Sequence, residues 1–482
     1  MYLWRLKRKI HVSWLIAIIC GGVFVGIYAA QYFNTLSFLY LIIATLLIAI
    51  GLCKKYVYLI PLLIIGGVLL GLWRGSISQN QLSPYRTLYG KYIAIEGVVK
   101  DDIDIGNSNQ LTIRLGDLNM KNKTLSGVLW VTVSTDEVIK RGDKILIDGK
   151  IMQGFGNFAG VIYRANLNKI IHPIPGDIAR IIRDKFADAV RVAIPDPESS
   201  LGIGYLVGQR RTLPADLILA LQVAGVTHIV VASGYNLTIL VRLARRLFIK
   251  VSKYLSMLSA SIMIFAFIAV TGVSPSMFRA GLVSGLSLAA WYYGRKFHPI
   301  VLLLIAIAIT VLINPNYAWG DLGWQLSFAA FAGVMIIAPL VQRYLFGDKK
   351  PGFIGQVLGE TISAQIATMP IIVMAFGQLS NVAIIANLLI LPLVPIAMLL
   401  TFIAGIGGLL LPGLAMIIGT PAYWILNYMI TVIEYLASLP WAMSKINIPW
   451  WVAIAYYIGI ILVCIYMWRV TKFNLREVNL VE

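Results

Sequence analysis

Runs of about 20 apolar residues recur along the whole chain, and they constrain its fold more than any other feature. A helix needs about 20 such residues to cross the hydrocarbon core of a bilayer. Of the 482 residues, 59% are hydrophobic and only 13% are charged, whereas a typical soluble domain carries about a quarter charged residues. Soluble packing cannot bury that much apolar surface. The sequence therefore predicts a polytopic α-helical membrane protein and excludes a soluble enzyme.

Twelve apolar segments of near-spanning length predict about 12 membrane spans. They are 12–30, 36–52, 56–73, 226–241, 255–273, 277–294, 297–313, 320–341, 355–376, 381–411, 413–439 and 449–469. The segment 381–411 is long and contains two prolines, so it is either one span or a re-entrant hairpin followed by a span. The basic start of the chain resembles a secretory signal, but two more apolar segments follow directly, and we expect no cleavage.

The distribution of basic residues predicts how the spans are oriented. The formal net charge is +19. If the chain starts in the cytoplasm, 13 of the 15 basic residues after residue 225 fall on the cytoplasmic side, and only Arg279 and Lys445 do not. The positive-inside rule thus predicts that both termini are cytoplasmic and that the polar region between the two sets of spans is extracytoplasmic. The three cysteines lie in apolar stretches and indicate no disulfide framework.

The sequence divides into four predicted parts: N-terminal helices at 1–73, an extracytoplasmic domain at 74–175, a connecting segment at 176–225 and a transmembrane domain at 226–482. Within 91–170, five short runs alternate polar and apolar residues between Gly, Asn and Asp, which predicts five strands. Five short strands suit a small OB-like β-barrel, although a β-sandwich fragment fits the same pattern. The spacing of apolar residues at 176–194 predicts an amphipathic helix that lies on the membrane or on the barrel.

The sequence contains no recognisable energy source, metal site or cofactor motif. There is no G-x-x-x-x-G-K-[ST] loop, so we expect no ATP hydrolysis by this chain and a driving force supplied elsewhere. The four histidines are scattered and fit no metal-binding pattern. The acidic cluster at Asp101, Asp102 and Asp104 lies between two predicted strands, where Asp is an ordinary turn residue. We therefore expect a protein that is not an enzyme and needs no cofactor.

The predicted barrel contains aromatic and basic residues suited to single-stranded nucleic acid. OB barrels hold single strands by stacking bases on aromatic faces beside a basic groove. The region 91–170 has 11 basic and nine acidic residues, so its net charge alone gives no strong phosphate-binding field. The residues with the required chemistry are Arg114, Trp130, Lys150, Phe155, Phe158, Tyr163 and Arg164. The alternative is that these aromatic residues belong to the core or to the membrane interface.

Three stretches place polar residues in or beside apolar segments: VTHIVVASGYNLTIL at 226–240, TGVSPSMFRAGL at 271–282 and WGDLGWQLSFAA at 319–330. Such residues either line a polar path or form helix–helix hydrogen bonds. A charge in this setting is costly, so Arg279 is a candidate functional residue. Asp321 is a candidate counter-ion for Arg279, and its spacing to Gln325 and Ser327 places the three on roughly one helical face.

These stretches resemble the motifs of the ComEC family of competence proteins, inner-membrane channels through which single-stranded DNA reaches the bacterial cytoplasm. In the first motif Asn236 stands where a second histidine is usual, which removes a titratable group from that position. A fourth motif is similar to NLLILPLVP at 387–395. The residues that the patterns and the resemblance together predict along the DNA path are His228, Ser233, Gly234, Asn236, Ser276, Arg279, Asp321, Gln325, Ser327 and Asn387.

The resemblance implies a protein of the bacterial inner membrane that carries single-stranded DNA, and it implies partners. These are the lipid bilayer, an outer DNA receptor, a cytoplasmic ATPase motor and a separate nuclease. The nuclease is expected because many family members end in a metallo-β-lactamase-like domain, whereas this sequence ends at Glu482 without such motifs. Two alternatives stay open at this point: a secondary transporter of a small molecule or lipid that uses broken helices, and a membrane-tethered DNA-binding module without transport.

Overall fold

A computed structural model describes residues 9–33, 37–105, 110–120, 123–135, 137–174, 176–209, 213–230, 234–272, 274–295, 298–349 and 351–475. Within these ranges eight helices are long and apolar enough to cross a membrane, and two shorter apolar helices accompany them. The eight are Val12–Ala29, Val57–Leu88, Lys253–Thr271, Leu322–Phe346, Ile354–Phe376, Ala383–Leu410, Pro412–Ala437 and Trp450–Thr471. The multi-pass membrane protein predicted from the sequence is thus confirmed, whereas the number of 12 spans is not.

The secondary-structure elements follow the predicted order of helices, strands and helices. The helices are α1 (Val12–Ala29), α2 (Phe38–Lys54), α3 (Ile60–Leu88), α4 (Ile178–Ala193), α5 (Glu198–Val207), α6 (Ala215–Val223), α7 (Thr227–Val230), α8 (Gly234–Phe248), α9 (Lys253–Thr271), α10 (Pro275–Tyr292), α11 (Pro299–Ile313), α12 (Asn316–Gly320), α13 (Leu322–Ala332), α14 (Ala338–Phe346), α15 (Phe353–Phe376), α16 (Ala383–Ile390), α17 (Val394–Leu410), α18 (Ala415–Ala437) and α19 (Trp450–Thr471). The strands are β1 (Tyr92–Val99), β2 (Asp104–Ile105), β3 (Leu111–Met120), β4 (Lys123–Leu125), β5 (Leu129–Val133), β6 (Lys144–Gln153), β7 (Gly160–Ile171), β8 (Gln378–Ser380) and β9 (Met443–Lys445).

The chain forms two compact units that are discontinuous in sequence. Unit 1 comprises Met1–Asp177 and Ile300–Gln325, and unit 2 comprises Ile178–Pro299 and Leu326–Glu482. Unit 1 therefore contains the N-terminal helices, the strands β1–β7 and the segment that leads into α13. Unit 2 contains most of the remaining helices. Since the unit boundary falls inside α13, this helix is shared by both units.

Glycines allow the N-terminal helices α1 and α3 to pack at very short distance. A Cβ atom on Gly26 would lie 2.1 Å from the carbonyl oxygen of Val68, and one on Gly71 would lie 2.3 Å from that of Val23. No side chain fits at either position. Small residues that let helix backbones touch are typical of membrane helices, where van der Waals contact replaces the hydrophobic effect as the attractive force.

Strands β1, β3, β5, β6 and β7 form a closed barrel. The circular order is β1–β3–β5–β7–β6, and β6 pairs back with β1. All neighbours are antiparallel except β5 and β7, which are parallel. The inward residues alternate with outward ones, and Ile113, Val131 and Ile145 are fully buried. The five predicted strands are thus confirmed, and the barrel fits the OB fold.

Helix α3 continues well beyond the predicted third span, 56–73, and ends at Leu88. Tyr85 is fully buried within the barrel core, and Leu82 and Leu88 pack against the same core. The sequence assigned residues 74–88 to the extracytoplasmic domain without a helix, and packing against the barrel core accompanies their helical structure. Consequently the first barrel strand begins at Tyr92.

Helix α4 is the amphipathic helix predicted at 176–194, and it packs against α17 and α18 of unit 2. The prediction that it lies on the membrane or on the barrel is corrected for its second half. A Cβ atom on Gly408 would lie 2.2 Å from the carbonyl oxygen of Ala189, and one on Gly419 would lie 2.0 Å from that of Ala193. Its first half does expose apolar residues, with Ile178 and Ile182 both 60% exposed.

Three predicted spans each contain more than one helical element. The segment predicted as a span at 226–241 gives two helices, α7 and α8, on either side of residues 231–233, which lie outside the described residues. The segment 381–411 gives α16, a short 3-10 turn at Leu391–Leu393 and α17, and together these have the length of one span. A π-helical turn at Gly333–Ile337 separates α13 from α14.

Candidate functional site

The guanidinium group of Arg279 is the centre of a small site in unit 2. Ser274 caps the start of α10 by accepting a hydrogen bond from the backbone N–H of Met277 (3.2 Å), which places Arg279 in the second helical turn. Its Nε donates to the Oγ of Ser327 on α13 (2.7 Å). The guanidinium carbon lies 5.8 Å from the ring centre of Phe328 and 5.3 Å from that of Phe331. Arg279 is half-buried.

The start of α8 lies against this arginine. A Cβ atom on Gly234 would lie 3.0 Å from Nη2 of Arg279 and 3.1 Å from the Cβ of Ala280. Glycine thus gives the guanidinium room that any other residue would take. The fold therefore brings together Gly234, Arg279 and Ser327, although up to 93 positions separate them in the sequence. Their assignment to a DNA path stays a prediction.

Arg279 has no ion pair with a carboxylate of unit 2 within the ranges that the structure describes. The predicted counter-ion, Asp321, lies in unit 1 and has hydrogen-bond partners there. Since the two residues lie in different units, the ion pair between them stays a prediction.

In unit 1 the carboxylate of Asp321 joins two segments. Its Oδ1 accepts from the backbone N–H of Trp324 (2.7 Å), and its Oδ2 accepts from Nδ2 of Asn157 in the β6–β7 loop (2.6 Å). Burial raises the pKa of this carboxyl above its ordinary value, while the hydrogen bond from Trp324 and the charge of Arg114 act in the opposite direction. Asp321 is therefore a structural junction of unit 1.

The other predicted path residues are placed as follows. Asn236 is fully buried, and its Nδ2 donates to the carbonyl oxygen of Tyr205 (3.0 Å). Nδ2 of Asn387 donates to the carbonyl oxygen of Ala383 in its own helix (2.9 Å). Both asparagine side chains therefore donate hydrogen bonds to backbone carbonyl oxygens. The His228 side chain is exposed, Ser276 and Gln325 are half-buried, and Ser233 lies outside the described residues.

Three aromatic rings form a cluster on the outer surface of the barrel, and we name it the aromatic platform. Trp130 lies 5.4 Å from Phe155 and 5.2 Å from Phe158, and the two phenylalanine rings are 5.4 Å apart. Trp130 projects from β5, whereas both phenylalanines lie on the β6–β7 loop. Phe155 is 49% exposed. The alternative that these rings belong to the barrel core is therefore excluded for Phe155.

The basic residues predicted beside these rings are only partly near them. Arg114 on β3 pairs directly with Trp130 on β5, so the two side chains are neighbours on one face. Its Nη1 forms an ion pair with Asp101 (3.0 Å). Tyr163 is 55% exposed, and Lys150 and Arg164 are exposed as well. Within the described ranges no ring contact links these three to the aromatic platform.

Sequence reasoning missed the residues that support the site rather than form it. Phe331 beside Arg279 and Asn157 beside Asp321 belong to no polar pattern. In hindsight the glycines around GFGNFAG at 154–160 and the WGD triplet at 319–321 were the available signal, because glycine permits close backbone approach. Among the residues that the structure describes, no group of three His, Cys, Asp or Glu side chains could hold a metal ion.

Comparison with known proteins bears directly on this arrangement. The family model described as Competence protein matches residues 205–470, more than half of the chain. The chain belongs to the competence protein family. The matched range contains Gly234, Arg279 and Ser327, so the site lies within the domain that defines the family.

The competence family assignment agrees with a curated relative. The chain is 27% identical over 216 residues to ComE operon protein 3 of Bacillus subtilis (strain 168). The matched region covers 44% of this chain and 27% of that relative, so the chain spans about a quarter of the relative's length. No solved structure matches the chain.

Proposed function

We propose that this membrane protein takes part in DNA uptake during natural transformation, as the channel through which a single strand crosses the inner membrane. Membership of the competence family supports the role in DNA uptake. The observation that carries the channel itself is the guanidinium of Arg279, held between helices by Ser327 and flanked by two phenylalanine rings.

Arginine is suited to a passing phosphate chain. Its charge does not titrate, and its planar group presents several donors to phosphate oxygens. In Arg279 the bond to Ser327 occupies only Nε, and the guanidinium has further N–H donors on its two Nη atoms. Conduction needs sites that bind weakly enough to release the ion. A single cation among aromatic rings meets this requirement better than a dense basic lining does.

The aromatic platform supports a receiving role for the barrel. Exposed rings on an OB-type barrel stack nucleobases with little sequence preference. Trp130 and Phe155 provide such faces, and Arg114 provides a cation that Asp101 partly neutralises. We therefore propose weak, salt-sensitive binding of single strands by the barrel before they reach the helices.

The proposed orientation places the termini and residues 342–350 in the cytoplasm and the barrel outside. The positive-inside distribution supports it. A reporter fused after Lys150 distinguishes the two orientations, because alkaline phosphatase is active only outside the cytoplasm. We expect alkaline phosphatase fused after Lys150 to be active. A reporter active only in the cytoplasm would place the barrel on the wrong side to receive DNA.

The chain itself is proposed to be non-catalytic, since its sequence has no phosphate-binding loop. We propose that a motor, an outer DNA receptor and a nuclease act together with it. We expect that deleting the gene abolishes transfer of labelled DNA into a nuclease-protected pool while surface-bound DNA persists. Loss of surface binding as well would indicate a receptor, and undiminished transfer would overturn the proposal.

A further inference from the structure

The loop that carries the aromatic platform is fastened to the segment preceding α13. Besides the hydrogen bond from Asn157 to Asp321 (2.6 Å), the two backbones touch. A Cβ atom on Gly320 would lie 2.8 Å from the Cα of Gly156, and one on Gly156 would lie 3.1 Å from the carbonyl oxygen of Gly320. These contacts all lie within unit 1, and they join residues separated by 164 positions.

Asp321, the acceptor in this contact, is itself held in place by other residues of unit 1. Asp321 accepts from the backbone N–H of Trp324, which caps the first turn of α13. The Trp324 side chain is buried, donates through Nε1 to Oγ1 of Thr310 (3.0 Å) and stacks on Phe24 at 6.0 Å. Trp319 donates through Nε1 to the carbonyl oxygen of Ile27 (2.8 Å). The carboxylate is therefore fixed by two other helices of unit 1.

Besides the bond at Asn157, backbone contacts hold the loop, and one of them is a hydrogen bond from the Tyr89 hydroxyl to the carbonyl oxygen of Ala159 (2.8 Å). The loop's backbone N–H groups at Phe158 and Ala159 donate to Phe155 and Val128 (3.1 and 2.9 Å). Asn157 lies between Phe155 and Phe158 in the sequence, so a bond at its side chain restrains both rings. A binding surface made of stacked rings loses affinity when the rings must be ordered on binding.

We propose that Asp321 is a positioning residue for the aromatic platform: its bond to Asn157 clamps the β6–β7 loop to the first turn of a membrane-spanning helix and pre-orders the rings for nucleobases. We name this pair the Asn157–Asp321 clamp. The clamp itself is independent of the proposed function, whereas its benefit to DNA binding rests on that function. Asp321 then acts through the loop and does not contact DNA.

A donor–acceptor exchange tests the clamp in the full-length protein in lipid nanodiscs. Asn157→Asp sets two carboxylates against each other, so we expect amide hydrogen exchange across 154–159 to rise at least about tenfold, the scale of a charged hydrogen bond. Asp321→Asn retains a side-chain oxygen that can accept the capping hydrogen bond of α13, but its amide group faces the amide group of Asn157. The double variant Asn157→Asp/Asp321→Asn exchanges donor and acceptor, and we expect it to restore slow exchange.

The barrel offers a matched control. Nδ2 of Asn168 donates to Oδ2 of Asp148 at the same distance, 2.6 Å, on exposed strand positions. Asn168→Asp also opposes two carboxylates but should leave exchange across 154–159 unchanged. If Asn157→Asp leaves the loop protected, or if the double variant exchanges as fast as the single one, the clamp is overturned. A purely structural need for a charge at Asp321 predicts no recovery in the double variant.

Binding of a fluorescent oligothymidine separates the clamp from the proposed function. We expect Asn157→Asp to weaken binding about fivefold and the double variant to recover it, the scale of about one stacked base. If exchange follows the clamp and affinity does not change, the positioning role is overturned although the contact exists. If the unaltered protein binds no oligothymidine at all, the proposed DNA-binding function of the barrel fails, and the positioning role with it.

Discussion

In the barrel the aromatic and basic side chains lie at the surface, whereas in the helices of unit 2 the guanidinium of Arg279 lies half-buried among apolar residues. The aromatic platform has three neighbouring rings. The site around Arg279 has one cation, one hydroxyl partner and a glycine that makes room for it. The barrel in unit 1 thus has several similar groups, whereas the site in unit 2 has a single cation.

This difference has a physical origin. On a wetted surface each stacking or ionic contact is weak and is screened by salt, so several are needed. Between membrane helices a charge is costly and its interactions are unscreened, so one suffices and more would retain a polyanion. We therefore expect substitutions in unit 2 to act nearly all-or-none and substitutions in the barrel to act gradually.

The largest effect is expected for Arg279→Gln. Loss of the charge removes charge-assisted contacts to phosphate, so transfer of labelled DNA into the nuclease-protected pool should fall roughly 100-fold. Abundance in the membrane should remain near normal. Arg279→Lys should recover part of the transfer, because the charge survives while the planar group is lost.

The control for Arg279 is Arg246→Gln, which removes an exposed arginine from α8 in the same unit. Transfer should stay within about twofold, because exposed charges contribute little. If Arg279→Gln instead lowers abundance and an added Asp321→Asn restores it, the arginine belongs to a buried ion pair, whose breakage costs roughly 3–5 kcal/mol. Normal abundance together with normal transfer would contradict both roles.

A smaller effect is expected for Gly234→Val, which places a branched side chain against Nη2 of Arg279. Overpacking of this kind costs roughly 1–3 kcal/mol, so DNA transfer should fall about tenfold through displacement of the guanidinium. Gly285→Val in α10 is the matched control, since a Cβ atom there meets nothing within 4 Å. Equal losses in both variants would mean that valine harms the helices and not the arginine.

A graded effect is expected for Phe155→Ala in the barrel. Loss of one stacking face should weaken binding of oligothymidine by the full-length protein about five- to tenfold, the lower end of the roughly 1–3 kcal/mol that a stacked base contributes. DNA transfer should fall only about twofold, since Trp130 and Phe158 remain. Tyr92→Ala, which removes an exposed ring outside the platform, should change neither value. A loss of transfer as complete as that in Arg279→Gln would end the contrast between the units.

The smallest effect is expected for Arg114→Gln. Asp101 already neutralises part of its charge at 3.0 Å, and exposed ion pairs contribute about 0–1 kcal/mol. Affinity for oligothymidine should therefore fall about twofold, as measured by fluorescence anisotropy at low salt. If affinity instead falls tenfold and the slope of log affinity against log salt concentration becomes shallower by about one, Arg114 is a main phosphate contact.

The sequence predicted what depends on local periodicity. Alternation of apolar residues in β1, β3, β5, β6 and β7 gave five strands, because inward positions of a small barrel must be apolar. The length of the apolar segments predicted the eight long helices, because a membrane span needs about 20 apolar residues. Gly234, Arg279 and Ser327 became candidates because polar or small residues are conspicuous in apolar segments, and the structure places them in contact.

Tertiary packing explains what the sequence did not predict. Helix α3 extends to Leu88 because Tyr85 packs in the barrel core. Helix α4 packs against helices of unit 2 because Gly408 and Gly419 leave room for its backbone. The Asn157–Asp321 bond joins positions too far apart for any local pattern to link them. Asn157 lies in a glycine-rich loop, where a polar residue is ordinary, so it carries no signal of its own.

Photo-crosslinking during uptake tests most directly the claim that the strand passes Arg279. A photoreactive amino acid replaces Phe331, whose ring lies 5.3 Å from the guanidinium, or Phe155 on the barrel. The same replacement at Trp451, which is 60% exposed on α19, is the control. We predict that labelled single strands crosslink at both Phe331 and Phe155 and not at Trp451. Crosslinks at Phe155 alone, in cells that still import DNA through the Phe331 variant, would contradict passage beside Arg279.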